Sequence, residues 1–109
     1  MKIVNLTPHA VNIADEAGTV IRTIPPTAPS ARAAAKGVTG EPVDGVPFVE
    51  RVFGAVENLP APDGETVYIV SEIVIAACPE RHDLVRPEMG CSCVRDAEGK
   101  IVAVRALTR

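Results

Sequence analysis

Ten prolines and eight glycines are spread along the 109 residues, and they cap the length of any regular element this chain can form. Proline fixes φ and lacks the donor that a helix interior or a central strand requires. Glycine punctuates turns. What lies between is aliphatic: 47% of the chain is hydrophobic, carried by Val, Ile and Ala, with no Trp, one Tyr and two Phe. Such β-branched residues suit a pleated surface better than a helix. The pattern predicts one mainly β (α+β) domain spanning residues 1–109, a small barrel or sandwich of seven to nine short antiparallel strands.

Lys2–Leu6 reads as a first strand, stopped by Thr7-Pro8. Ala10–Ala14 and Thr19–Ile24 flank Asp15-Glu16-Ala17-Gly18, where aspartate can accept backbone N–H bonds and glycine can take a left-handed position. Pro25–Ser30 holds three prolines and reads as a surface crossing, followed by Ala31–Lys36 as a strand. Asp44-Gly45 is a type I′ signal joining Glu41–Val43 to Val46–Val52, and Pro42 and Pro47 suggest that this hairpin lies at an edge. Val67–Val70 is the most hydrophobic strand. Ser71 then caps the one short helix, near residues 71–78, with Glu72 in its first turn and Pro79 ending it. Ile73, Val74 and Ala77 mark its expected buried side. Leu84–Arg86, Cys93–Arg95 and Lys100–Leu107 read as further strands, the last two joined by Asp96-Ala97-Glu98-Gly99, which repeats the earlier turn chemistry.

The net charge of −3 and the scarcity of aromatics argue against nucleic acid, which demands a basic face and stacking platforms. No apolar run approaches the ~20 residues of a membrane helix, and no signal-peptide pattern opens the chain. Three cysteines, an odd number, fit a reducing compartment.

Cys78, His82, Cys91 and Cys93 are the one set that could suggest zinc, but their spacing matches no common knuckle and Pro79 interrupts the turn between the first two. No metal and no cofactor are expected. Neither a Gly-x-Ser-x-Gly elbow nor a Gly-rich phosphate loop is present, and no signature joins Cys78 or Cys91 to His9 or His82 as nucleophile and base. The chain is not expected to be an enzyme. Arginines spread over separate segments suggest capture of an anion instead, since guanidinium binds carboxylate or phosphate in bidentate fashion. His9, in a loop fixed by Pro8, with Arg32 and Arg81 forms the candidate ligand-binding set.

Asn5-Leu6-Thr7-Pro8-His9-Ala10-Val11-Asn12-Ile13 resembles the opening of a group of small bacteriophage- and prophage-encoded proteins that have no established function. The likeness runs on through Ile24-Pro25-Pro26, Ala31-Arg32, Gly45-Val46-Pro47, Phe53–Pro60, Tyr68–Ser71, Arg81 and Asp83, Arg86-Pro87-Glu88, and Val94-Arg95-Asp96 with Gly99. Cys91 and Cys93 fall outside it. The resemblance implies a phage-borne accessory or virion protein in the host cytoplasm. The expectation is a non-enzymatic, homo-oligomeric protein that binds or sequesters a small anionic ligand, such as a host defence nucleotide signal, or a host protein. The alternatives are a structural or assembly protein of the virion and a small hydrolase.

Overall fold

A computed structural model describes residues 1–90 and 93–109. In chain order the elements are β1 (Lys2–Asn5), β2 (Val11–Ala14), β3 (Val20–Ile24), β4 (Arg32–Thr39), β5 (Val49–Glu57), β6 (Thr66–Ile69), α1 (Glu72–Ala77), β7 (Leu84–Pro87), β8 (Val94–Arg95), β9 (Ile101–Ala103) and β10 (Leu107–Thr108). The protein is mainly β with one short helix, as the sequence predicts. Its strands form a central four-stranded sheet in the order β1-β6-β7-β10 and three hairpins, β2-β3, β4-β5 and β8-β9. The hairpins are antiparallel, but β1, β6 and β7 run parallel, and only β10 opposes them. No helix among the described residues is long and apolar enough to cross a membrane.

The parallel centre follows from an uninterrupted apolar run. Parallel strands are covered on both faces and so lack polar alternation. Tyr68, Ile69 and Val70 are such a run, and all three are buried. Successive side chains point to opposite faces. Tyr68, Val70 and Leu84 therefore join Leu6, Ala31, Val74 and Cys78 in one cluster, beneath α1. Ile69 joins Val11, Ile24 and Val104 in a second, beneath β2 and β3, with Val85 and Leu107 packed against it. The centre is thus a layer between two small aliphatic clusters. Burial of each Val, Leu or Ile stabilises by about 1.5–3 kcal/mol.

Six residues are too few for a helix to stand alone, and α1 is held at its ends and along one side. The Ser71 hydroxyl accepts from Val74 N at 3.4 Å, and Cys78 N donates to the Val74 and Ile75 carbonyls, ending the helix before Pro79. Its inward side is Val74, with Ile75 and Ala77 packed against the cluster. Ile73, expected inside, is 38% exposed, because α1 meets the sheet one residue further round than its apolar pattern suggests.

The turns behave as their residues dictate. Gly18 N donates to the Asp15 carbonyl and Thr19 N to Asp15 Oδ1, with Gly18 at φ 87°. Asp96 repeats this with Gly99 N and Lys100 N. At the tip of the β4–β5 hairpin, Asp44 and Gly45 have φ of 51° and 75°, and Val43 and Val46 exchange two backbone bonds. That exchange only closes the tip. The long pairing is β4 with β5, from Arg32 opposite Glu57 to Thr39 opposite Val49. Pro42 and Pro47 lie between those strands, where no ladder donor is needed. Ala33 and Val56, at the root of this arm, pack against the α1-side cluster, while most of the rest is exposed. The radius of gyration is 16.4 Å, against about 13 Å for a compact chain of this size.

Among the described residues, Asn5 is the polar residue that lies fully inside. The Asn5 side chain is 0% exposed. Its Nδ2 donates to the His9 carbonyl at 2.8 Å and to the Ile24 carbonyl at 3.0 Å. Its Oδ1 accepts from Thr7 N at 3.0 Å and from the Thr7 hydroxyl at 2.6 Å. One amide therefore joins the end of β1, the loop after it and the end of β3. Asn5→Ala leaves these groups unpaired, each at a cost of about 1–3 kcal/mol. Urea denaturation should show a loss of about 3 kcal/mol or more, and Asn5→Asp, which lacks the two donors, should not recover it.

Candidate functional site

The three residues singled out from the sequence line three separate cavities. Arg81 borders a cavity of about 540 Å³, together with His82, Asp83, Glu80 and Arg109. Its guanidinium is already engaged. Nε and Nη2 each lie 2.8 Å from an Asp83 carboxylate oxygen, and Nη2 also donates to the Pro60 carbonyl at 2.9 Å. The pair is mostly buried, with side chains 14% and 19% exposed. Arg81 thus ties the connection after α1 to the segment before β6, and Asp83 already balances its charge. Glu80 and Asp83 make this cavity less welcoming to an anion. Arg32 lies at the root of the arm, opposite Glu57, and both line a cavity of about 250 Å³.

His9 occupies the setting that best fits a ligand. A cavity of about 370 Å³ opens among Thr7, His9, Val11, Val70, Ser71, Glu72, Arg86, Pro87 and Met89. Its volume falls within the range of small-molecule pockets. Each segment reaches it for a topological reason. Thr7 and His9 follow the carboxyl end of β1, Val70 and Ser71 that of β6, and Arg86 and Pro87 close β7. The crevice outside the carboxyl ends of parallel strands is where open α/β sheets hold ligands, because the loops leaving the strands diverge there. The walls are mainly aliphatic, from Val11, Val70, Pro87 and Met89, with His9, Arg86, Glu72 and Ser71 as polar points. His9 is exposed, and its carbonyl rather than its ring is bound by Asn5. No ion pair joins Arg86 to a carboxylate among the described residues.

Arg86 is the residue the sequence did not single out. It is one of several dispersed arginines, and only the parallel order of β1, β6 and β7 gives it a place beside His9. The available signal was the Tyr68-Ile69-Val70 run, which marks a doubly covered strand and hence a carboxyl-end crevice.

The cysteine and histidine set does not gather on one side of the sheet. Cys78 is buried in the α1-side cluster, and Cys93 packs against the opposite one. Cys91 lies outside the described residues. Burial, reinforced by the negative charge of Glu80, pushes the Cys78 thiol above its ordinary value, the reverse of what a nucleophile or a thiolate ligand needs. Among the described residues no group of three or more His, Cys, Asp or Glu side chains could hold a metal ion.

The Arg81–Asp83 tie has a testable pH signature. Hydrogen bonds from Arg81 hold the Asp83 carboxyl below its ordinary 3.8. A carboxyl depressed on folding adds stability that is fully present above its unfolded value and is lost as pH falls through the folded one. Arg81→Ala should cost about 1–2 kcal/mol at pH 7. The gap between variant and wild type should shrink as the pH drops below about 4, as read by denaturant titrations at pH 7 and pH 3. Compared with known proteins, the chain matches no family model, no curated protein and no solved structure.

Proposed function

We propose that this chain is a non-enzymatic binding protein that takes a small ligand, anionic at one end and apolar along its body, into the crevice at the carboxyl ends of β1, β6 and β7. The observation that carries the reading is Arg86, without an ion-pair partner among the described residues, lining an aliphatic cavity beside the exposed His9. Guanidinium supplies bidentate capture of a carboxylate or phosphate. The imidazole of His9 adds a further hydrogen-bonding group. The aliphatic wall would cover the rest of the ligand, and no covalent step is involved. The setting that goes with this reading is the one implied by the Asn-Leu-Thr-Pro-His resemblance. It is that of a phage- or prophage-borne accessory protein in the host cytoplasm, with ligands of the nucleotide-signal class among those to be tried.

A second reading, a structural or assembly part of a virion, is favoured by the projecting β4–β5 arm, since extended ribbons serve contacts between subunits. Presence of the chain in purified particles at fixed stoichiometry would support it.

Ligand binding is tested by thermal shift and calorimetry with nucleoside monophosphates, cyclic dinucleotides and aliphatic carboxylates. At least one should raise the unfolding midpoint of the wild type. Arg86→Ala should then weaken its binding by about 2–4 kcal/mol, whereas Arg32→Ala should leave it unchanged. The proposal fails if no probe shifts the midpoint, or if Arg86→Ala responds as the wild type does.

A further inference from the structure

Beyond its root, the β4–β5 ribbon has little of its own chain to lie on. Val38, Val43, Val46, Phe48, Val49 and Val52 are 43–62% exposed along it. Arg51 over the Phe53 ring, 5.5 Å from its centroid, gives only local cover. A two-stranded hairpin without a packed face is marginal in water, so this element calls for a partner whenever the protein is folded.

Three observations say what that partner is. The outer edge of β4 is open, because its sheet has two strands only. Soluble proteins blunt such edges with charge or proline to keep copies apart, yet from Ala33 to Thr39 the sole charge is Lys36. The arm is also nearly balanced in charge: Arg32, Lys36 and Arg51 stand against Glu41, Asp44, Glu50 and Glu57, three minus four, or −1. It has no field that would select a strongly charged partner. Area decides the geometry. A ribbon of this length, ~26 Å by ~10 Å, offers roughly 250 Å² per face. One face laid on one partner buries roughly 500 Å² in total, the scale of an incidental contact. Two arms exchanged across a two-fold axis, each covered on both faces, bury roughly 2,000 Å², the scale of a specific dimer.

We infer that the β4–β5 arm is completed by a second copy of this chain, through reciprocal exchange of arms about a two-fold axis. The contact is made by the exposed apolar residues between Val38 and Val52, and the body with its crevice is left intact.

Sedimentation of the wild-type chain over about 1–100 μM should give at least twice the 11.4 kDa chain mass. Val46→Lys combined with Phe48→Lys should return the mass to that of one chain, with an unchanged far-UV spectrum. If that variant loses its fold, Val43→Lys at the tip, outside both clusters, is read in its place. A wild type that sediments as a single chain across the range overturns the inference, as does an assembly whose mass the folded arm variant leaves unaltered. Mass is read without ligand, so this outcome is independent of binding in the crevice.

Discussion

The Asn5 amide is the interaction on which the rest of the fold depends. Both of its donors and its acceptor oxygen are used inside the protein, and the groups it satisfies belong to the end of β1, the following loop and the end of β3. Backbone bonds continue the tie: Thr27 N donates to the Asn5 carbonyl, Leu6 N to Ile69, and Ala31 N to Leu6. A buried polar group that is fully paired fixes one arrangement, because any other leaves it unpaired at high cost. The Asn-Leu-Thr-Pro-His opening is therefore mainly a statement about architecture. Asn5 and Thr7 build the loop, Leu6 anchors it in the core, and His9 contributes its carbonyl to the pin.

That arrangement sets up the crevice. With the loop after β1 pinned against β3, His9 is held over the carboxyl ends of the parallel strands, where the capping residue Ser71 and the β7 residue Arg86 also emerge. The same economy appears in Arg81, which a reading of charge alone counts as available for ligands. Paired with Asp83 and the Pro60 carbonyl, it serves the connection between α1 and β7 instead.

What could be read from the sequence was local. The Asp15–Gly18, Asp44-Gly45 and Asp96–Gly99 turns, the Ser71 cap and the stop at Pro79 each follow from the chemistry of a few adjacent residues. Pairing between distant strands does not. Nothing near Lys2 announces that it lies beside Thr66, and a barrel of antiparallel strands satisfies the same turns. The site suffered for the same reason. His9 is visible as a loop residue, but which arginine shares its cavity depends on which strands run parallel: Arg32 and Arg81 line other cavities, and Arg86 lines that of His9. The length of the arm was hidden too, because Ala31–Lys36 has helix-forming alanines and extends as a strand to Thr39 only through its pairing with β5.

The parallel pairing of β1 with β6 has a consequence in time. Lys2 and Thr66 lie opposite each other across more than sixty intervening residues, whereas the three hairpin turns close over two to four. Joining the distant pair costs roughly 2 kcal/mol more loop entropy than closing a four-residue turn, and contacts between remote segments form late. Hairpins form within microseconds. A chain leaving the ribosome at its N-terminus can thus complete β2-β3 and β4-β5 while β1 still waits for its neighbour. The strand at the start of the sequence is among the last to find its place in the sheet, whereas the four bonds of the Asn5 side chain, made to residues 7, 9 and 24, can close before that distant pairing forms.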